Sequence, residues 1–403
     1  AGDSTLEDFY KEAAEGSMND ALHECRTKIW NAISGFTMKL ICLSPAEFIH
    51  FGTTRELRRL VTQDVQDYEF LDWKREVNSA VTEHNFAAHN AYVGRRAAVG
   101  AGAYIENAYV IGYSVIEPGA VLSHVRVCDR HVPADTVLHG TELTDGRYVV
   151  RIYGVEDNPK GKYPDSVPFL GTALESMMAA NGITPSDLWD GDETYLWFAR
   201  LYPVCASHEE ALDAATVLYR MAQGTASPEE VEKWKACERM SLYSSFNEAD
   251  IAAAHSWEEE LENRVLTKRF VWALEEGRYY KDALEIFGKR GISDDIFRIL
   301  EQDAQEADFS LRIRIYYALS RYMKHTGKSY EMQQYDALET ECFGTIQKAV
   351  YNSARKNLPD SSGYRISKDR VDVALPVRVN WGGGWTDTPP HCNEKGGVVL
   401  NAA

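Results

Sequence analysis

Apolar positions change their period along the chain, and the changes divide it. Up to about residue 36 the spacing is helical: in "LHECRTKIWNAI", Leu22, Cys25, Ile29 and Ile33 fall on one face. The apolar run at 38–44 predicts a short buried strand. A strand end, a Gly-Thr-Thr turn at 52–54 and a helix start follow. Residues 92–139 instead repeat every six residues. One apolar register runs Val93, Val99, Ile105 and Ile111, then slips by one residue and continues Ile116, Leu122, Cys128 and Ala134. A second, four residues on, runs Ala97, Ala103, Tyr109, Val115, Ala120, Arg126, Val132 and Leu138. Hexads with a branched apolar residue at one position and small residues nearby predict a left-handed parallel β-helix of nearly three coils. The branched residue points into the prism and small residues ease the corners. Arg126 is the misfit and is expected at an edge.

After the hexads, "YVVRIYGV" alternates as a strand and "DNPKGKYPD" reads as a turn-rich loop. From Ser207 the pattern is helical. Ser207 with Glu210, and Ser227 with Glu230, read as capping boxes, and Pro228 suits a first helical position. Ser256 is expected to cap a helix that stops at Gly277, with further helices at about 281–289, 294–306, 309–324 and 330–356. Alternation then returns at Val371, Val373 and Leu375 and again at Val377 and Val379. These strands run into "GGGWTDTPP". The pattern implies divisions at 1–85, 86–140 (β-helix), 141–205 (strands and loops), 206–365 (helical) and 366–403 (strand-rich).

Composition narrows the chemistry. A net charge of -18 repels phosphate backbones and acidic membranes, which argues against nucleic-acid binding as a main role. The seven cysteines are scattered, odd in number and without a CxxC pair, as expected of reduced thiols in the cytoplasm. No run approaches the roughly 20 apolar residues of a spanning helix, and the acidic N-terminal stretch is unlike a signal peptide.

Two segments carry a resemblance. "PVRVNWGGGWTDTPP" resembles the first signature of the GHMP small-molecule kinases, in the form found in L-fucokinases and related heptose kinases. That resemblance implies that Asp387 accepts hydrogen bonds from sugar hydroxyls and that Arg378 lies near the phosphoryl-transfer centre. It further implies that Gly382, Gly383, Gly384 and Trp385 line the sugar. A carboxylate at a turn is a strong acceptor for vicinal diols, and an arginine can stabilise a transferred phosphoryl. Only 13 residues follow Pro390, so the ATP-binding loop of such a kinase is expected beyond Ala403.

"MKLICLSPAEFIHFGTTRELRRLV" followed by a hexapeptide β-helix resembles the end of a sugar-1-phosphate nucleotidyltransferase. His50 stands where that family has a metal-binding aspartate, and an imidazole is a poorer ligand for Mg²⁺. Thr53 and Thr54 are the other candidates on that side. The order of the segments, with "GVEDNPKG" and "LWFARLYPV", is similar to the bifunctional L-fucokinase/L-fucose-1-phosphate guanylyltransferases. The implied fold is multidomain α and β: the tail of an α/β nucleotidyltransferase core, the β-helix, a helical linker and the start of a GHMP kinase domain. The implied substrates are L-fucose, ATP, GTP and L-fucose 1-phosphate, with Mg²⁺ as cofactor and a homo-oligomer as a possible assembly. The chain by itself is expected to be inactive.

Other readings compete. Hexapeptide β-helices also carry acyltransfer, for which His124 and His131 are the candidate bases. The β-helix and helices could also be a non-catalytic scaffold. Lys160 and Lys162 fit either a phosphate contact or a plain turn set by Asp157, Asn158 and Pro159. Arg55, Arg58 and Arg59 fit either phosphate or the closing of a helix.

Overall fold

The computed structural model describes all residues except 1–4, 12–18, 37–38, 40, 43, 45–47, 50, 331–334, 358–368, 371, 373–378, 383–385, 389–390, 393–395 and 403. The chain forms two compact units, Ala1–His50 and Phe51–Ala403. The first carries helices α1 (Leu6–Lys11) and α2 (Asp20–Ile33), the latter capped by Asn19, whose side chain accepts from the Leu22 amide. Most of the expected strand at 38–44 lies outside the described residues or has no strand pairing.

The second unit opens with α3 (Thr54–Thr62) and a 3₁₀ segment (Asp64–Leu71), then enters a β-solenoid of about three turns. A short strand, β1 (Glu76–Val77), pairs with β2 (Ala87–His89). One side of the solenoid stacks β2, β5 (Tyr104–Glu106), β8 (Val121–Ser123) and β11 (Thr136–Glu142). A second stacks β3 (Tyr92–Val93), β6 (Tyr109–Ile111) and β9 (Arg126–Cys128), and a third β4 (Ala98–Val99), β7 (Val115–Ile116) and β10 (His131–Val132). All these solenoid pairings are parallel.

The coil length differs from the hexad expectation. Ile105 pairs with Ala88 and with Leu122, so one coil takes 17 residues rather than 18. The buried inward residues are Val93, Val99, Ile105, Val110, Ile116, Leu122, Val127, Val132 and Leu138. The register therefore slips by one residue in the earlier coils and by two in the last, where Ile116 pairs with Val132 and Leu122 with Leu138, each 16 residues apart. As a result Ile111 is only half-buried, and Cys128, Ala134, Val115 and Arg126 are exposed. The short steps fall where Asn90, Asn107 and His124 take left-handed backbone with φ of 46°, 45° and 53°, and the extra one in the last coil falls at Asp129 with φ 51°. Asparagine tolerates that conformation better than most residues. Small side chains do ease the corners, but they stand two residues before each inward position: Ala91, Ala103, Ala108, Ser114 and Ala120. Arg126 lies on the outer strand β9 with its guanidinium over the Tyr109 ring.

From the last coil, β11 turns back into β12 (Tyr148–Gly154), antiparallel and in register from Thr136↔Gly154 to Glu142↔Tyr148. Two small two-stranded sheets follow: β13 (Pro168–Phe169) with β14 (Thr172–Ala173), and β15 (Tyr202–Pro203) with β16 (Arg239–Met240). Among them lie α4 (Leu174–Ala180), α5 (Pro185–Leu188), α6 (His208–Ala222), α7 (Pro228–Ala236) and α8 (Leu242–Asn247). One apolar core runs from the solenoid interior through this layer. Ser207 caps α6, and Ser227 and Glu230 form a full capping box on α7 with Pro228 at its start.

The long helix α9 (Ile251–Glu275) begins earlier than the sequence pattern suggested. Asp250 caps it by accepting from the Ala253 amide, while Ser256 sits inside the helix and bonds the Ala252 carbonyl. α9 lies along the asparagine corner of the solenoid. Its Glu258 carboxylate takes Asn107 Nδ2 at 3.3 Å and faces His124 Nε2 at 3.1 Å, and Trp257 Nε1 donates to the Asn107 carbonyl at 2.7 Å. α10 (Tyr280–Leu284), α11 (Asp294–Glu306), α12 (Phe309–Thr326) and α13 (Tyr335–Asn357) pack with the second half of α9 around a separate core. Near the C-terminus β17 (Val379–Gly382) pairs antiparallel with β18 (Leu400–Ala402).

Candidate functional site

Thr53 is the N-cap of α3: its side chain accepts from the Glu56 amide at 3.2 Å, and Glu56 Oε2 accepts from the Thr53 amide at 3.1 Å. The Gly-Thr-Thr turn is thus a capping box. Thr54, the next residue, lines a cavity of 240 Å³ together with Tyr153. The neighbouring arginines bind protein groups. Arg55 meets Glu156 at 3.2 Å, Arg59 meets Asp64 at 3.0 Å, and Arg58 reaches Asp135 and the Gly119 carbonyl, which seats α3 on the solenoid.

His50, Arg378, Gly383, Gly384 and Trp385 lie outside the described residues. Asp387 is exposed in the turn that follows β17, and beside it Thr386 Oγ1 donates to the Val398 carbonyl at 2.7 Å. No hydrogen bond or ion pair joins Asp387 to Thr53 or Thr54. Both ring nitrogens of His124 are engaged within the chain, by Glu258 and by Ser123 Oγ at 2.9 Å, so neither is free to act as a base. His131 pairs with Glu117 at 2.8 Å. The "DNPKG" segment is a turn: Lys160's amide donates to Asn158 Oδ1 at 3.0 Å, and the Lys162 ammonium sits over the Tyr195 ring.

The cavity beside Thr54 was not anticipated from sequence. It lies between the start of α3, the β11–β12 hairpin, Asp157–Pro159 and Trp197. Strand alternation builds its wall. His139 and Arg151 are directly paired across the hairpin, so both project from the same face, with Thr141 two residues further along. Arg151 is only 7% exposed. Its Nη2 donates to Thr141 Oγ1 and, at 3.4 Å, to His139 Nε2; its Nε is buried with no partner. An arginine has no acceptor, so His139 accepts through Nε2 and carries its proton on Nδ1. Burial, then the charges of Arg151 and His124, hold the His139 pKa well below its usual range and keep the ring neutral.

A second cavity, of 230 Å³, shares His139 and Arg151 and continues towards Tyr148, His208 and Trp257. The His208 ring stacks on Trp257 at 5.7 Å between centroids and accepts from the Arg126 amide at 3.4 Å. Burial, then Arg126, push its pKa down to about 4. Asp157 does not pair with Arg151: its Oδ2 accepts from the Gly154 and Leu170 amides, at 2.6 and 3.0 Å. Tyr202 is fully buried and its hydroxyl has no partner. A visible signal for this site existed in the sequence. Arg151 is the one charge within the apolar strand "YVVRIYGV", and a charge buried on both sides needs a reason.

Thr54, Asp157 with Pro159, and Leu196 with Trp197, each from a different segment that carries the resemblance, therefore line one interior. A family model, the fucose pyrophosphorylase domain, matches residues 1–207. The chain belongs to that family. The matched region holds α3, the whole solenoid, the hairpin and both Arg151 and His139. Among curated relatives, the bifunctional fucokinase/GDP-fucose pyrophosphorylase of Arabidopsis thaliana is 28% identical over 308 residues, 68% of this chain and 28% of the relative. The L-fucokinase/L-fucose-1-P guanylyltransferase of Bacteroides fragilis is 26% identical over 388 residues, 92% of this chain and 38% of the relative. The chain thus spans well under half the length of either. No solved structure gives a significant match.

Among the described residues, no group of three or more His, Cys, Asp or Glu side chains is placed to hold a metal ion. No described helix is long and apolar enough to cross a membrane.

Proposed function

We propose that this chain is part of a cytoplasmic bifunctional enzyme. It phosphorylates L-fucose at O1 with ATP, then joins L-fucose 1-phosphate to GMP from GTP and releases pyrophosphate. The family match over residues 1–207 carries this reading, and the names of the two relatives support both steps. In this division, residues 1–85 belong to the nucleotidyltransferase core and 86–140 to the β-helix. Residues 141–205 cover the hairpin and its cavity, 206–365 link the activities, and 366–403 begin a GHMP kinase domain. Thr54 faces the guanylyltransferase side. On the kinase side Asp387, Gly383, Gly384 and Trp385 hold the sugar, and Arg378 stands at the transferred phosphoryl. Any Mg²⁺ is bound with the nucleotide phosphates.

The test is a sugar panel. The chain, alone and within a longer chain extended at both ends, is assayed for ATP-dependent ADP release with L-fucose, D-arabinose and heptoses. We expect release with L-fucose from the extended chain and none from the 403 residues alone. Activity of the extended chain on another sugar with none on fucose would remove the substrate assignment.

A further inference from the structure

Arg151 is a buried cation that the protein does not balance. Its hydrogen bonds all leave from Nη2, to Thr141 and His139, and no carboxylate of the described residues lies within ion-pair distance. His139, the residue opposite it, is neutral. The Tyr202 hydroxyl, also unpartnered, is close enough to interact with the guanidinium charge. A buried guanidinium without a counterion is costly, and such groups are ordinarily paired. The cavities on either side, 240 and 230 Å³, are each far larger than the roughly 30 Å³ share of one water. Thr141 and His139 hold one end of the guanidinium plane, leaving Nε and Nη1 without protein acceptors. Nη1 keeps both of its N–H groups for an oxyanion, and such charge-assisted hydrogen bonds are strong.

We propose that the interior on Arg151 binds a small phosphate-type oxyanion, with Nη1 as its donor and Thr141 and His139 as the residues that orient the guanidinium. The inference goes beyond the proposed reaction and does not depend on it, since it rests on an uncompensated charge and the space beside it.

The experiment titrates the full 403-residue chain with inorganic phosphate, and with acetate at matched ionic strength, by calorimetry and by thermal melting. We expect saturable one-site phosphate binding, a melting temperature that rises with phosphate, and much weaker binding of acetate. Arg151→Met should reduce phosphate affinity at least about tenfold, the scale of losing charge-assisted hydrogen bonds. Without phosphate it should melt no lower than the wild type, because it removes a buried unpaired charge. If Arg151→Met does not fold, Arg151→Lys answers the same question: it keeps the charge, loses the planar donors, and should bind phosphate several-fold more weakly. Absence of saturable phosphate binding to the wild type would overturn the proposal. So would acetate binding as tight as phosphate, or unchanged phosphate affinity in the arginine variants.

Discussion

At the scale of single residues, burial decides which side chains matter. His208 is held neutral between the Trp257 ring and the edge of Tyr148, with Arg126 and Arg130 opposing its charge. Its pKa is about 4 when folded against an ordinary 6.5. Between those values the unfolded chain binds a proton that the folded chain refuses, so stability is full above pH 6.5 and falls as pH drops towards 4. Denaturant melts at pH 7.5 and 4.5 should therefore show the wild type losing about 2 kcal/mol more than His208→Phe, which keeps a ring in the stack. Equal losses in the two proteins would mean that His208 titrates normally. The same principle explains what sequence left unseen. His139, Arg151 and His208 are separated along the chain, and only the pairing of β11 with β12 and the seating of α6 and α9 bring them to one interior. By contrast, Thr53 was legible as part of a turn before a helix, because a cap is local chemistry.

At the scale of elements, the hexad pattern was enough to place a parallel coil and the misfit Arg126 at its edge. Its exact register was not legible, because left-handed corner residues remove one position in the earlier coils and two in the last, and such a residue carries no strong sequence mark when it is a histidine. The two registers make opposite predictions. In the 17-residue coil Val127 is fully buried and Cys128 exposed, whereas the hexad count points Cys128 inward. Chemical denaturation should show Val127→Ala costing about 1–3 kcal/mol and Cys128→Ala within about 0.5 kcal/mol of the wild type. The reverse order would restore the hexad count. The α9 boundary has a similar lesson. Ser256 and Asp250 are both good caps, and the helix starts at Asp250 because the alanines between them extend it without cost.

At the scale of the whole molecule, the solenoid acts as the spine on which α3, the hairpin and α9 are each seated by polar contacts: Arg58 to Gly119 and Asp135, and Glu258 to the asparagine corner. The interior that results is shaped by segments on both sides of the coils. The kinase-like signature is a different case: its resemblance was readable as a short motif, while Arg378, Gly383 and Gly384 fall outside the described residues. The most direct test of the account is the guanylyl transfer itself. The extended chain is incubated with GTP and L-fucose 1-phosphate, and the products are resolved by mass spectrometry. The account predicts GDP-L-fucose and pyrophosphate in equal amounts; intact GTP and L-fucose 1-phosphate, with an active kinase half in the same sample, would contradict it.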